Sequence, residues 1–318
     1  MSDDAFMKRA LELARDNLGN TGGKPSVGAV LTQKNEIVAE GVTQENGEHA
    51  EVNVLGKASG DTLYVTLEPC CHKGDTGPCT GAIINAGTKR VVIATQDQNP
   101  KVNGKGIQQL KEQGIEVTYG VLESEAKRLY VPFFHWITTG KPFVTVKAAL
   151  TLDGSMTWGD EKRKWITGEE AKKHSHTLRK EHDAILVGSE TVLKDDPELT
   201  TRYVKGKNPL KIVLDRRGRV PKEAKVYNEG DTLIWTDTIS SLVEWLSEKN
   251  ITSVLVEGGP TVIASFMNEG FANKLMLYVG SKKENGRGFF ELLKKKPTIL
   301  DMRVQQFGKD VLLEGVLG

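Results

Sequence analysis

The chain has 318 residues, a length that fits two domains of roughly 150 residues better than one. Its 43 Lys and Arg side chains nearly balance its 42 Asp and Glu side chains, so no net field favours a nucleic-acid backbone or an anionic membrane. The first residues do not resemble a signal peptide, and no run approaches about 18 apolar residues. We therefore expect a soluble, cytoplasmic protein whose partners are small molecules, without nucleic-acid or membrane binding.

The start of the chain predicts a helix and a hairpin. Residues 4–18 place apolar side chains at helical spacing, with capping residues before them and a glycine after them. Residues 27–31 and 36–41 predict two short strands joined by a polar turn. The segment 49–57 again has helical spacing, which predicts His49 in the first turn of a helix and Glu51 two residues later.

The most informative stretch runs from His49 to Cys79, because it contains every cysteine of the chain. A His-x-Glu followed by Pro-Cys and a second Cys is typical of zinc-dependent nucleobase deaminases, in which a zinc-activated water attacks the ring carbon that bears the amine. Three protein ligands leave the fourth zinc position for that water. We interpret His49, Cys70 and Cys79 as ligands of one zinc ion per chain, and Glu51 as the catalytic acid and base.

The spacing of the two predicted cysteine ligands points to one group of deaminases. Eight residues separate Cys70 from Cys79, whereas the usual spacer is Cys-x-x-Cys. The segment 68–79 resembles the riboflavin-pathway deaminases, whose pattern is Glu-Pro-Cys-x-His-x-Gly-x-Thr-x-Pro-Cys; Cys71 stands where the family often has Ser.

Two other segments resemble motifs of the same family. Residues 25–28 resemble Asn-Pro-x-Val-Gly, with Lys24 in place of the Asn that usually contacts substrate, and residues 97–106 resemble its Asp-Pro-Asn-Pro-x-Val-x-Gly-x-Gly loop.

Three other interpretations of the cysteine segment remain open. The cysteines could form a structural zinc site, although the distant His-Ala-Glu argues against it. Cys71 or His72 could replace Cys70 as a ligand, although the Pro-Cys dipeptide favours Cys70. A disulfide is also conceivable, but the odd number of cysteines and the absence of an export signal argue against one.

The remainder of the first half alternates strands with helices. Strands are predicted at 63–67, 90–94 and 115–119, and helices at 80–86, with Cys79 at its N-terminus, and 106–113. This order predicts an α/β/α sandwich, and the resemblance implies the cytidine-deaminase-like fold. A breaker at 138–142, after a helix ending near Trp136, separates a zinc-dependent pyrimidine deaminase domain, residues 1–140, from a second domain, residues 143–318.

In the second domain, alternating strands and helices predict a largely parallel sheet. The predicted strands are 143–148, 184–188, 210–215, 232–235, 253–257 and 274–279, and the predicted helices are 189–193, 239–249 and 261–269. Residues 304–316 predict an antiparallel pair at the sheet edge. Residues 254–261 run from a strand through two glycines into a helix, where backbone amides can face a phosphate.

Several motifs of this half are similar to the reductase half of the bifunctional riboflavin biosynthesis deaminase/reductases. They are the segments 147–154, 165–167, 183–188, 191–202 and 256–261. The resemblance implies a dihydrofolate-reductase-like α/β domain with NADPH as the hydride donor. It implies hydrolytic deamination of a diaminopyrimidinone that carries a ribosylamino phosphate, followed by reduction of the ribosyl group to ribityl.

The same resemblance implies the ligand contacts of the reductase domain. NADPH would contact Ala149, Trp165, Thr191, Asp195 and the turn formed by Gly259, Pro260, Thr261, Val262, Ile263, Ala264 and Ser265. The ribose phosphate would contact Arg163, where the family often has Ser, and Arg179, Leu199, Arg202 and Glu257. Arginine forks suit a phosphate dianion. Lys147 or Glu257 could polarise or protonate the opened sugar as the hydride arrives.

Two groups of residues are interpreted from the sequence without a family motif. Arg216, Arg217 and Arg219 follow a predicted strand and could bind an extra cofactor phosphate or form a solvated basic turn. Four histidines have no neighbours that suggest a metal site, and we interpret them as surface or core residues: His135, His174, His176 and His182.

Taken together, these patterns predict a two-headed enzyme of riboflavin biosynthesis that forms a homo-oligomer. One alternative is a zinc nucleoside or tRNA deaminase with a non-catalytic C-terminal domain, but it leaves the second half without a role. A second alternative is a zinc-stabilised binding protein without turnover.

Overall fold

The structure is a computed structural model that describes residues 1–72, 77–156, 166–282, 289–294 and 297–318. It divides into two compact units, Met1–Gly140 and Lys141–Gly318, and each unit has its own sheet. Among the described residues, no helix combines the length and the apolar character that crossing a bilayer requires.

The first unit contains five strands and five helices among its described residues. The strands are β1 (Gly28–Gln33), β2 (Glu36–Val42), β3 (Thr62–Leu67), β4 (Arg90–Thr95) and β5 (Glu116–Tyr119), and the helices are α1 (Asp3–Asp16), α2 (Ala50–Leu55), α3 (Cys79–Asn85), α4 (Lys105–Glu112) and α5 (Glu123–Thr139). The sheet order is β2-β1-β3-β4-β5; β1 is antiparallel to both neighbours, whereas β3, β4 and β5 are parallel. The predicted hairpin and antiparallel start are confirmed.

Helices on the sheet create the core of the first unit. Helix α1 contacts α5 and the strands, while α2, α3 and α4 contact one another in succession. Side chains such as Phe6, Leu31, Ile93 and Tyr130 meet in one buried cluster. Because α2 and α3 are neighbours, the residues at their N-termini are brought together, although they are far apart in sequence.

The predicted end of α5 near Trp136 is wrong, because the helix continues to Thr139. The hydroxyls of Thr138 and Thr139 donate to the carbonyls of Phe134 and His135, so these two residues support the last turn instead of breaking it. The helix ends at Gly140, whose φ of 67° lies in the left-handed region that glycine adopts without strain.

The second unit contains eight strands and four α-helices among its described residues. The strands are β6 (Phe143–Leu150), β7 (Ala184–Gly188), β8 (Leu210–Leu214), β9 (Thr232–Trp235), β10 (Ser253–Val256), β11 (Lys274–Val279), β12 (Ile299–Phe307) and β13 (Asp310–Leu317), and the helices are α6 (Glu169–Glu181), α7 (Ser189–Asp195), α8 (Ile239–Glu248) and α9 (Pro260–Asn268). The sheet order is β12-β13-β11-β6-β10-β7-β8-β9.

Strands β6 to β11 are parallel, and the hairpin of β12 and β13 adds antiparallel strands at one edge. The predicted parallel sheet with an antiparallel edge pair is therefore confirmed. The carboxyl ends of the parallel strands all lie at the same end of the sheet. Open α/β sheets bind ligands at this end of their strands.

Helix α6 was not predicted from the sequence. Its buried positions are Ala171, Ser175, His176, Leu178 and Arg179, so much of its inner face is polar. The helix was missed because a periodic pattern of apolar residues does not include buried polar side chains. Ala171 and Leu178 pack with Leu255, Met276 and Tyr278, and this packing seats the helix over β10 and β11.

Candidate active sites

The first candidate site lies where the end of β3 meets the N-termini of α2 and α3. His49 is the residue before α2, rather than part of its first turn as expected, and Cys79 is the first residue of α3. His49 Nδ1 lies 3.1 Å from Cys79 Sγ and 3.6 Å from Cys70 Sγ. The three donor atoms all lie within 4.8 Å of one another.

These three residues fit a zinc ion. Tetrahedral zinc with usual Zn–N and Zn–S bonds separates its ligand atoms by roughly 3.5–3.8 Å, close to the spacing found here. The Cys79 amide donates to Cys70 Sγ over 3.4 Å. Hydrogen bonds from the Cys79 thiol and from the His49 ring lower the pKa of Cys70 to about 4 against the effect of burial. Cys70 therefore favours the thiolate, the form that binds metal.

Cys71 and His72, the two alternatives to Cys70 as a ligand, lie outside this group. Among the described residues, His49, Cys70 and Cys79 form the one group of potential ligand atoms close enough to share an ion. The Cys71 thiol lies 3.7 Å from the carbonyl oxygen of Lys101. The cysteines are free thiols, so the disulfide interpretation is excluded.

Glu51 lies in the first turn of α2, and its carboxyl group is buried. Burial raises the pKa of Glu51 to about 7, and the negative charge of Cys70 adds to this effect. A carboxyl group that interacts with His49, Cys70 and Cys79 but stands outside their group is placed to carry protons. The hydrogen bond with Cys70 raises the pKa of His49, although burial and the charge of the nearby Lys24 act in the opposite direction.

The carboxylate of Glu68 holds the backbone around this site in place, a role that was not predicted from the sequence. Its carboxylate accepts hydrogen bonds from the backbone amides of Asp97, Gly104 and Ile107 at 3.0–3.2 Å. It thereby ties the end of β3, just before Pro69-Cys70, to the loop 97–104. The signal in the sequence was its place in Glu-Pro-Cys, which reveals neither the burial nor the partners of the carboxylate.

The second candidate site is centred on Glu257, which directly follows β10. Arg179 donates from Nε and Nη2 to the two carboxylate oxygens over 3.0 and 2.9 Å. Lys147 Nζ, from β6, lies 3.6 Å from Glu257 Oε2. Burial opposes the charge of Glu257, but Arg179 and Lys147 outweigh it and lower its pKa to about 2. Glu257 is therefore an anion at neutral pH.

The ring of Tyr278 lies beside Lys147 and belongs to a cluster of aromatic residues. Lys147 Nζ lies 5.7 Å from the ring centroid of Tyr278, whose hydroxyl is 2.6 Å from His174 Nδ1. The His174 ring stacks on Phe307 with centroids 4.5 Å apart. Tyr278 received no role from the sequence, because nothing there links it to Lys147.

The other predicted substrate contacts lie on the segment after α7. Arg202 Nη1 donates to Glu198 Oε2 over 3.1 Å and to Thr200 Oγ1 over 3.4 Å. The Leu199 side chain is buried in a core cluster, so only its backbone could face a ligand. Arg163 and Trp165 lie outside the described residues.

The predicted nucleotide contacts lie around the carboxyl ends of β7 and β10. A Cβ atom at Gly259 would be 3.9 Å from Thr191 Oγ1, which places α7 beside the turn that begins α9. A Cβ atom at Gly258 would be 2.7 Å from Val262 Cβ, so this turn requires glycine. Within α9, Ile263 and Ala264 are buried.

Three further residues named for NADPH lie at other points of the same unit. Asp195 is the last residue of α7, and Ala149 pairs with Tyr278 in the register of β6 with β11. Arg216 Nε donates to the Asp237 carbonyl over 3.3 Å, whereas Arg219 contacts Ser189 and Glu190 at the start of α7.

Comparisons with known proteins match both halves of the chain. The RibD C-terminal domain matches residues 142–313, and the cytidine and deoxycytidylate deaminase zinc-binding region matches residues 1–95. The riboflavin biosynthesis protein RibD of Aquifex aeolicus is 44% identical over 310 residues, covering 88% of this chain and 87% of the relative. Its Escherichia coli counterpart is 35% identical, covering 98% and 99%.

A solved structure also matches the whole length. The diaminohydroxyphosphoribosylaminopyrimidine deaminase/5-amino-6-(5-phosphoribosylamino)uracil reductase of Thermotoga maritima has a TM-score of 0.89 and 35% identity, covering 99% of each chain. The predicted fold class, a cytidine-deaminase-like sandwich followed by a dihydrofolate-reductase-like α/β domain, is confirmed.

Proposed function

Because the chain belongs to the RibD family of riboflavin biosynthesis proteins, which are bifunctional deaminases and reductases, we propose that its two domains act in turn on one pyrimidine ribose phosphate. The proposed substrates are diaminohydroxyphosphoribosylaminopyrimidine and then 5-amino-6-(5-phosphoribosylamino)uracil, the compounds that name the Thermotoga maritima relative. Zinc serves the deaminase domain and NADPH the reductase domain. The alternative with a non-catalytic second domain is not favoured, because that domain matches the RibD reductase.

The observation that carries the deaminase assignment is the convergence of one histidine and two cysteines beside a buried glutamate. Zinc held by His49, Cys70 and Cys79 would supply the Lewis acidity that lowers the pKa of water. Glu51 takes a proton from the attacking water and delivers it to the departing amine, which leaves as ammonia while a C–O bond replaces the C–N bond. We assign this reaction to residues 1–140.

We assign the reductase reaction to residues 143–318, where bound NADPH would supply the hydride that reduces the first carbon of the ribosyl group. The bond from this carbon to the ring oxygen breaks, and Lys147 protonates that oxygen. Glu257 remains an anion and fixes the position of the Lys147 ammonium. The turn that begins α9, which has Thr191 beside it, would bind the nucleotide. Arg216, which follows β8, would bind its extra phosphate.

The proposal is tested by incubating the zinc-loaded chain with diaminohydroxyphosphoribosylaminopyrimidine and NADPH. We expect one ammonia released and one NADPH oxidised per product molecule, with a product mass that shows one amine replaced by oxygen and two hydrogens added. Oxidation of NADPH without ammonia release would contradict the order of the reactions. If the chain neither releases ammonia nor oxidises NADPH, the proposed function is contradicted.

We propose further that the chain forms a homo-oligomer in the cytoplasm. The edge strand β12 exposes Leu300, Met302 and Val304, and exposed apolar side chains on an edge strand are a surface that a second copy can cover. Free thiols suit a reducing compartment. Light scattering that reports a monomer at working concentrations would contradict the oligomer.

A further inference from the structure

Glu257 restrains the amine of Lys147 from one side. Lys147 Nζ lies 3.6 Å from Glu257 Oε2, which is longer than a hydrogen bond. Both carboxylate oxygens of Glu257 already accept hydrogen bonds from Arg179, at 3.0 and 2.9 Å. The ion pair therefore attracts the amine of Lys147, but it does not alone determine the direction in which the amine points.

The ring of Tyr278 gives the same amine a second restraint. Lys147 on β6 pairs with Met276 on β11, so Tyr278, two residues further along β11, lies on the same face of the sheet. Lys147 Nζ lies over its ring, 5.7 Å from the centroid. A lysine ammonium within about 6 Å of a ring centroid is attracted to the ring, more strongly where water is excluded. Tyr278 is fully buried and the Lys147 side chain is 16% exposed, so little water competes.

Groups from two other elements hold the ring of Tyr278. Its hydroxyl lies 2.6 Å from Nδ1 of His174 on α6. The His174 ring stacks on Phe307, the last residue of β12, with centroids 4.5 Å apart and planes 20° apart. Phe307 also meets Tyr278 directly, with ring centroids 6.2 Å apart. The three rings form one packed group, and Tyr278 is the member that touches Lys147.

The hydrogen bond between Tyr278 and His174 joins two uncharged groups at neutral pH. Burial raises the pKa of the Tyr278 hydroxyl, and the charge of Glu257 adds to this effect. Burial lowers the pKa of His174. The charge beside the Tyr278 ring is therefore that of Lys147, and the neutral ring can attract it through its π face.

We propose that Tyr278 is a positioning residue of the reductase centre. Its ring holds the Lys147 amine at the place from which Lys147 protonates the sugar oxygen, and His174 fixes the ring through the tyrosine hydroxyl. Tyr278 thus acts through Lys147. The inference rests on the proposed function, because it takes Lys147 as the proton donor of the reduction.

The test compares Tyr278→Met with Tyr278→Phe in the full-length, zinc-loaded chain. Methionine fills irregular core space without a ring, whereas phenylalanine keeps the ring. NADPH oxidation is measured with 5-amino-6-(5-phosphoribosylamino)uracil. For Tyr278→Met we expect kcat to fall about ten-fold, with both KM values within about two-fold of the parent. For Tyr278→Phe, which loses only the hydroxyl, we expect kcat to fall no more than about three-fold.

A control substitution separates the ring from the packing around it. Met276→Leu changes a buried side chain on the same face of β11, directly opposite Lys147, and nearly conserves its volume. It should leave kcat within about two-fold of the parent. Equal losses of kcat in Met276→Leu and Tyr278→Met would overturn the inference, and so would equal losses in Tyr278→Phe and Tyr278→Met.

A double-mutant cycle tests whether Tyr278 acts through Lys147. Adding Tyr278→Met to Lys147→Met should lower kcat no further, because the amine that the ring positions is already absent. A purely structural role would instead lower kcat by the same factor with and without Lys147. That additive result would overturn the inference.

His174→Phe tests the same group from a partly exposed position on α6. It breaks the hydrogen bond to Tyr278 and keeps a ring against Phe307, so kcat should fall about three-fold with unchanged KM values. If Tyr278→Met does not fold, this variant decides, and a kcat equal to that of the parent would overturn the inference. If the parent chain itself oxidises no NADPH with this compound, the proposed function fails.

Discussion

Glu257 has a buried carboxylate, and the side chain of the partly buried Lys147 lies beside it. Arg179 and Lys147 offset the cost of burying the carboxylate, and a pKa of about 2 keeps it ionised. An ionised Glu257 cannot donate a proton, but it can fix the position of the Lys147 amine, which lies 3.6 Å away. The division of roles between the two residues follows from this geometry.

Replacing Lys147 by Met should therefore remove the proton donor of the reductase reaction. We expect kcat for NADPH oxidation to fall by about 10²- to 10⁴-fold. Ammonia release by the same preparation should be unaffected, and it serves as the internal control for folding and zinc loading. Undiminished NADPH oxidation would show that another group protonates the sugar oxygen.

Lys211 presents the opposite case, a buried amine without a matching anion. Its side chain on β8 is fully buried, and its Nζ has no hydrogen-bond partner among the described residues. Burial lowers the pKa of Lys211. The unpaired cation destabilises the folded state.

Replacing Lys211 by Met should raise the free energy of unfolding by about 1–3 kcal/mol at neutral pH. The gain should shrink as the pH becomes alkaline, because the native chain binds this proton less tightly than the unfolded chain and the parent becomes more stable as the pH rises. Denaturant titration measures the change, with the exposed Lys222→Met as control. Equal stabilities of the two variants at neutral pH would contradict the argument.

At the scale of the element, α6 brings Arg179 to Glu257 at the second candidate site. Its inner face combines two apolar residues with a serine, a histidine and an arginine. The helix ends at Glu181, where burial raises the pKa of the carboxyl group to about 7 although Lys274 and Lys180 act in the opposite direction.

Ionisation of Glu181 should lower the stability of the fold. The unfolded carboxyl group titrates near its ordinary pKa, so the free energy of unfolding should fall from about pH 4.5 and level off above pH 7, by no more than about 3 kcal/mol. Glu181→Gln should remove this part of the pH dependence. Glu169→Gln, at the exposed first position of α6, is the control and should retain it. Parallel pH profiles for Glu181→Gln and the parent would refute the assignment.

Elements with periodic apolar residues could be predicted from the sequence, and contacts between distant polar residues could not. Strand β11 was placed at the bounds that the structure gives it, because its residues form a continuous buried run. Glu68 reaches three amides in the loop and helix that follow β4, and Lys172 meets Tyr203. These contacts depend on the tertiary fold and leave no periodic pattern in the sequence.

The candidate sites were predictable where a motif fixes the chemistry. His49, Cys70 and Cys79 could be named because metal ligands need particular residue types at particular spacings. The bond between Arg179 and Glu257 could not be predicted, because either residue alone suits a substrate contact. The structure shows that the two residues bind each other.

At the scale of the whole molecule, the chain has two units with separate sheets and separate chemistry. The proposed zinc ligands and Glu51 belong to the first unit, whereas Lys147, Arg179 and Glu257 belong to the second. A substitution in one unit should therefore abolish one reaction and leave the other reaction intact. This independence makes it possible to test the zinc site in the intact protein.

The most direct test is ammonia release by Glu51→Gln, measured together with its zinc content. Removing the proton carrier beside the three ligands should lower deamination by about 10²-fold or more, with one zinc ion per chain retained. Reduction of 5-amino-6-(5-phosphoribosylamino)uracil by NADPH should continue at the rate of the parent chain. Undiminished ammonia release would contradict the role of Glu51, and a chain that binds no zinc would contradict the site built from His49, Cys70 and Cys79.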